Sequence, residues 1–248
     1  MAILVTRPQP DNETTAAALR AKGVAVLPAP MLRFEPVAFH DDADARYGAV
    51  IVSSANALRA IEADLSGSRL LTLPLFAVGE RSAEAARRAG FRNIAVAEGN
   101  AAALRDLILA GARGKIVKKA STLLYLAGAD LAGDLAGELG ERGFSVVTHT
   151  TYRMLPVANL PQEAVDAFAG NGIEAVLHYS RRSARAFVDA VRAAGIEISA
   201  LAIPQCCISD AVASVVRDVG ATQVLVARSP DESGLFEALD RALAALSR

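Results

Sequence analysis

The chain has 248 residues, 52% of them hydrophobic, which suits one large domain or two small ones around an ample core. Its 26 Lys and Arg against 27 Asp and Glu leave a formal net charge of −1, which argues against a general nucleic-acid binder. The two cysteines, Cys206 and Cys207, are adjacent, so a disulfide scaffold is excluded and a cytoplasmic setting expected; no stretch approaches the ~18 apolar residues of a membrane span.

In chain order, the short apolar run before Thr6-Arg7-Pro8 predicts a first strand rather than a signal peptide. A helix follows, ending at Lys22-Gly23, where glycine can take the left-handed cap. Next come a second strand and an extended segment stopped by Pro36. The strand within 47–52 leads through Ser53-Ser54 into an Ala-rich helix, and that within 76–78 leads through Gly79 into another. Residues 93–96 and 101–110 add a further strand and helix.

The series then recurs. Gly23, Pro36 and Val37 fall on Gly143, Pro156 and Val157 at an offset of 120. Val50 and Ser54 fall on Val176 and Ser180 at 126, and Gly90 falls on Gly220 at 130. The second copy closes with a strand within 223–226 and a helix over 234–246. A duplicated run of strands alternating with crossover helices predicts an α/β protein of two similar lobes, each a parallel sheet flanked by helices.

Ligands in such sheets bind beyond the carboxyl ends of the strands, where helix N-termini offer free N–H groups and partial positive charge. Four turns fit that place: Thr6-Arg7-Pro8, Ser53-Ser54-Ala55-Asn56, the Val78–Ser82 segment, and the Tyr179–Ser183 segment. Turns of this kind on two facing lobes would suit a ligand with several carboxylates. Ser53, Ser54, Ser82 and Ser180 also suit plain helix N-caps, and Arg7, Arg181 and Arg182 suit a solvated surface. No G-x-S-x-G, Walker loop or G-x-G-x-x-G is present, and His40, His149 and His178 lack metal-ligand spacing. His149 and His178 lie near strand ends, which suits either an approach to a ligand or, more simply, a structural role, and the cysteine pair reads as core. Tyr152, on the extended segment before Pro156, is placed either to reach a ligand as a proton donor or to pack beneath a linker.

At these residues the chain resembles the uroporphyrinogen-III synthase family. The likeness runs nearly end to end: Thr6-Arg7-Pro8, the helix into Gly23 and Pro28, Val52-Ser53-Ser54-Ala55-Asn56-Ala57, Val78-Gly79-Glu80-Arg81-Ser82-Ala83, the strand into Gly128, Thr151-Tyr152-Arg153, and the Tyr179-Ser180 turn. No one motif is specific; the ordered set is. The second copy departs from the pattern, having Ser209 for glycine, Val212 for threonine and Asp210 at the helix start, which would repel a carboxylate.

The resemblance implies two flavodoxin-like lobes with the cleft between them. Residues 1–33 with 156–248 would make one lobe and 38–150 the other, joined by linker strands at about 32–37 and 150–156. Periodicity alone equally allows two consecutive halves. It further implies a cofactor-free, metal-free lyase that cyclises hydroxymethylbilane, losing water and inverting ring D through a spiro intermediate. Tyr152 would assist departure of the hydroxyl. Thr6, Arg7, Ser53, Ser54, Asn56, Gly79, Ser82, Gly128, Tyr179, Ser180 and Ser209 would bind substrate. A monomer with no nucleic-acid or membrane partner is expected. The alternative is a non-enzymatic two-lobed protein that clamps an anionic small molecule; an α/β enzyme of sugar or phosphate chemistry would need an acid/base pair or metal cluster that the sequence does not display.

Overall fold

The computed structural model describes residues 1–246 apart from positions 43, 119 and 132. The first copy of the repeat supplies β1 (Ala2–Val5), α1 (Asp11–Ala21), β2 (Val26–Pro28), β3 (Leu32–Pro36), β4 (Tyr47–Val52), α2 (Ala55–Ala60), β5 (Leu75–Val78), α3 (Gly79–Ala89), β6 (Ile94–Ala97) and α4 (Ala101–Arg113). The second supplies β7 (Thr122–Gly128), α5 (Leu135–Gly140), β8 (Ser145–Pro156), α6 (Gln162–Ala169), β9 (Ile173–His178), α7 (Arg181–Ala193), α8 (Glu197–Ala202), β10 (Gln205–Cys207), α9 (Asp210–Arg217), β11 (Val224–Val226) and α10 (Glu232–Leu246). Gly23 and Gly143, matched across the copies, both turn left-handed after their helices, at φ 80° and 84°.

These elements form two compact units, Met1–Phe34 with Leu155–Arg248 (unit 1) and Glu35–Met154 (unit 2). The sheet of unit 1 runs β11-β10-β9-β1-β2, parallel throughout. The other sheet runs β3-β8-β7-β4-β5-β6, parallel from β8 to β6. The copies have thus exchanged parts: β1–α1–β2 of the first pairs with β9, β10 and β11 of the second, and β7–α5–β8 of the second pairs with β4, β5 and β6 of the first. Numbered by repeat position, both sheets read 2-1-3-4-5, the flavodoxin-like order. The chain passes between units along β3 and β8. Val37 N–H donates to Thr151 O at 2.7 Å and Val157 N–H to Met31 O at 3.0 Å, an antiparallel pairing.

Both faces of these sheets are buried, so the central strands are apolar at nearly every position. Along β4, Val50 and Val52 join one cluster with Leu58, Leu75 and Leu126, while Ala49 and Ile51 join the opposite one with Phe76, Leu104 and Leu123. In unit 1, Ile3, Val5, Ala175, Leu177 and Cys206 pack against Leu19 of α1 and Leu235, Phe236 and Leu239 of α10. Helix α7 buries Ala184, Phe187, Val188 and Val191, spaced to fall on one stripe.

His178, at the end of β9, is fully buried. Its Nε2 lies 2.9 Å from Gln205 Oε1, and the Gln205 amide group donates to Ala200 O and Ile203 O. That network assigns the imidazole proton to Nε2 and leaves Nδ1 as a buried acceptor with no hydrogen-bond partner among the described residues. A second proton would sit there uncompensated, so burial pushes the His178 pKa down to about 4, the Gln205 bond opposing only in part. Because the folded state disfavours the charged ring, the stability it contributes is full above the unfolded pKa of ~6.5 and is lost as pH falls towards 4. The loss expected is about 3 kcal/mol between those limits. Urea unfolding of the wild type and a His178→Met variant at pH 7 and pH 4 checks it: the variant should show the smaller acid loss, and equal losses would refute the assignment.

Candidate active site

In each unit the turns singled out in the sequence stand at the carboxyl edge of the parallel sheet, because each directly follows a strand. In unit 2 these are Ser53 after β4, Gly79 after β5, Gly128 ending β7 and Tyr152 on β8. In unit 1 they are Thr6 and Arg7 after β1, Tyr179 and Ser180 after β9, and Ser209 after β10. The strand order reverses between β4 and β7 in unit 2 and between β1 and β9 in unit 1, and such switch points are where open α/β sheets take ligands.

At the unit 2 switch point, Ser53 Oγ and the Tyr125 hydroxyl are 2.7 Å apart. Tyr125 is 4% exposed, and burial raises its phenol above the ordinary value, with the Ser53 bond opposing. It therefore stays protonated at neutral pH and can donate to Ser53, leaving the serine proton to point elsewhere. Tyr125 was missed in the sequence, where it reads as one more apolar residue of a buried strand.

Tyr152 is aimed by an irregularity in β8. Ala127 pairs with Thr150 but Gly128 pairs with Tyr152, so Thr151 is the extra residue of a bulge. Thr151 is fully buried and its hydroxyl donates to Ala127 O at 3.3 Å. The bulge brings the Tyr152 ring over Gly128. A Cβ on Gly128 would stand 2.6 Å from Tyr152 Cζ and 2.8 Å from its hydroxyl oxygen, so only glycine admits the ring there. The half-buried ring rests on the cluster that holds Leu124 and Leu126, and Ala129 N–H donates to Tyr152 O at 2.9 Å.

Ser54 caps α2, accepting from Asn56 N–H at 3.2 Å, and Asn56 Oδ1 accepts from Arg59 at 2.7 Å. Gly79 opens α3 with φ 69° and open space where a Cβ would be. Ser82, one turn into α3, is 4% exposed. The first-turn amides of α3 are thus a better anion contact than the buried Ser82 hydroxyl.

In unit 1 Thr6 is fully buried, and both its amide and its hydroxyl donate to Leu177 O, at 3.3 and 2.8 Å. It ties β1 to β9 and has no donor left to offer outward. Arg7 lies 4.7 Å over the Tyr179 ring and reaches Asp11 at 3.1 Å and Glu232 at 3.2 Å. Burial, first among several causes, raises the Tyr179 phenol, which donates to Glu232 at 3.2 Å. Ser180 caps α7, accepting from Ser183 N–H at 3.1 Å. Ser209 caps α9 by its carbonyl, which accepts from Val212 and Ala213 N–H; its side chain makes no cap bond. Asp210 is exposed and faces Arg217 at 3.4 Å. Thr15 and Glu232 were not foreseen, for both are far from Arg7 in the chain or mid-helix. The structure thus joins Ser53 to Tyr125, Gly128 to Tyr152, and Arg7 to Tyr179, while the bonds of Ser54, Asn56 and Ser180 stay within their own caps and helices.

Among the described residues no cluster of three or more His, Cys, Asp and Glu could hold a metal, and no helix is long and apolar enough to cross a membrane. Cys206 and Cys207 are buried free thiols, both raised to about 12 by desolvation, so they are poor nucleophiles.

The model of the family described as uroporphyrinogen-III synthase HemD matches residues 13–237. Solved structures agree in fold. The uroporphyrinogen-III synthetase of Helicobacter pylori is 17% identical with a TM-score of 0.64, over 100% of this chain and 99% of that one. A mutant uroporphyrinogen III synthase of the extremely thermophilic bacterium Thermus thermophilus is 17% identical with a TM-score of 0.57, over 99% of this chain and 100% of that one. No curated protein matches significantly. With the family model spanning most of its length and the same two-lobed fold in its structural neighbours, the chain belongs to the uroporphyrinogen-III synthase family, cyclising lyases of tetrapyrrole synthesis.

Proposed function

We propose that this chain closes hydroxymethylbilane to uroporphyrinogen III with Tyr152 as the donor to the departing hydroxyl. The observation that carries this is the Tyr152 ring seated on Gly128 by the β8 bulge, at the carboxyl edge of a parallel sheet. A phenol hydroxyl is a hydrogen-bond donor and suits donation to a leaving oxygen. The terminal C–O bond breaks as that oxygen takes the proton and leaves as water, and the electron pair of the adjacent pyrrole compensates the carbon. Ring D then closes through a spiro intermediate and inverts, and the proton lost as the pyrrole rearomatises restores the Tyr152 phenol. The bilane is reactive by itself, so the larger contribution is to hold a flexible chain in the geometry that inverts.

The candidate carboxylate contacts of unit 1 are Arg7, Tyr179 and Ser180, and those of unit 2 are Ser53, Ser54 and the first-turn amides from Gly79. Asn56 supports Ser54 by closing the α2 cap, and Gly128 admits the ring. Ser82 and Thr6 shape their turns, and Ser209 contributes least, given Asp210 beside it. The protein acts as a monomer in the cytoplasm, a setting supported by its adjacent buried thiols.

Two measurements test this. Purified protein given hydroxymethylbilane should yield the type III isomer in excess over type I; a mixture equal to the enzyme-free control would refute the reading. Tyr125→Phe should raise KM by about 2–10-fold, the loss of one hydrogen bond that orients Ser53, with kcat changed less. An unchanged KM would remove Tyr125 and Ser53 from the binding set.

A further inference from the structure

One carboxylate oxygen in unit 1 accepts from three side chains. Glu232 Oε1 lies 3.2 Å from Arg7 Nη1 and 3.2 Å from the Tyr179 hydroxyl, and it also takes a short hydrogen bond from the Thr15 hydroxyl. The three donors belong to separate elements: the turn after β1, the turn after β9, and α1. They meet where the strand order reverses. Glu232 arrives from elsewhere, as the first residue of α10. Its side chain is 35% exposed against 19% for Arg7, so water still reaches the residue that occupies the guanidinium. A planar guanidinium, a hydroxyl and a phenol converging on one point form a receptor for a carboxylate.

We propose that Arg7, Thr15 and Tyr179 form a seat for a carboxylate side chain of the substrate, and that Glu232 is an internal competitor for it. The proposal deepens the synthase reading and, for the identity of the ligand, rests on it. Exchanging one carboxylate for another keeps the guanidinium paired, so the partly buried charge is never left alone. Asp11 stays on the other arm of Arg7 and holds it in place during the exchange. The binding that substrate gains at this seat is reduced by the contact it must break.

Two arms test the seat. Glu232→Gln keeps the shape and an acceptor oxygen but removes the competing charge. It should lower KM for hydroxymethylbilane about tenfold, equivalent to ~1.4 kcal/mol. A helix tie with no ligand role predicts the same or a higher KM, and that result in a folded variant overturns the proposal. The second arm needs no turnover. Acetate, compared with chloride at equal ionic strength, should raise the melting temperature of Glu232→Ala by about 2–4 °C. Wild type, and Glu232→Ala combined with Arg7→Met, should respond less. No acetate response in Glu232→Ala overturns the seat as well. If acetate binds but the wild type gives no excess of type III isomer, the synthase reading falls and the carboxylate seat stands.

Discussion

Tyr152→Phe is expected to lower kcat by about 10²–10⁴-fold, the range for loss of a positioned proton donor. The variant keeps the ring, so the contact with the cluster containing Leu124 and Leu126 survives. The pairing of residue 152 with Gly128, and the bond from Ala129 N–H to its carbonyl, are backbone features that the change does not touch. Melting temperature and KM should therefore move little while turnover falls. The product that still forms should lean towards type I, because the bilane closes without inversion when it is not guided. Initial rates with isomer analysis check this; wild-type turnover in Tyr152→Phe would reject the donor role.

Gly128→Ala should come close to the same loss while Tyr152 is left in place. The added Cβ would stand 2.6 Å from ring carbon Cζ, well inside contact distance. The obstructing atoms are the far end of a side chain, so the ring swings away and the backbone holds. Stability is expected to fall by about 1 kcal/mol, the lower end for overpacking. A hydroxyl displaced by ~1 Å loses about 10²-fold in rate. The double variant with Tyr152→Phe separates this cause from any other. If alanine acts only by moving the hydroxyl, adding it to Tyr152→Phe costs nothing further, and additive losses would show that Gly128 matters for another reason.

The fold was readable because its signals are local. Strands alternating with helices, Gly23 and Gly143 after their helices, and Pro36 and Pro156 after their extended segments each follow from backbone sterics within a few residues. The placement of candidate residues at strand ends was readable for the same reason, since a serine turn between an apolar strand and an Ala-rich helix has one place to be. The partners of those residues were not. Tyr125 lies in a run of apolar residues and differs from them only in the hydroxyl that meets Ser53 at 2.7 Å. Glu232 begins a helix, as acidic residues commonly do, and its contact with Arg7 spans nearly the whole chain.

The sequence by itself determined the repeat, the α/β class, and which turns stand at the strand ends. It left open which copy pairs with which, because β1–α1–β2 and β7–α5–β8 have the same pattern and either would satisfy the apolar edge of either set of later strands. The tertiary structure decided that β1 lies beside β9 and β7 beside β4. It also decided the bulge at Thr151, since register is a relation between two strands and is written in neither alone. That shift of one residue turns Tyr152 onto Gly128, and with it the chemistry proposed for this protein.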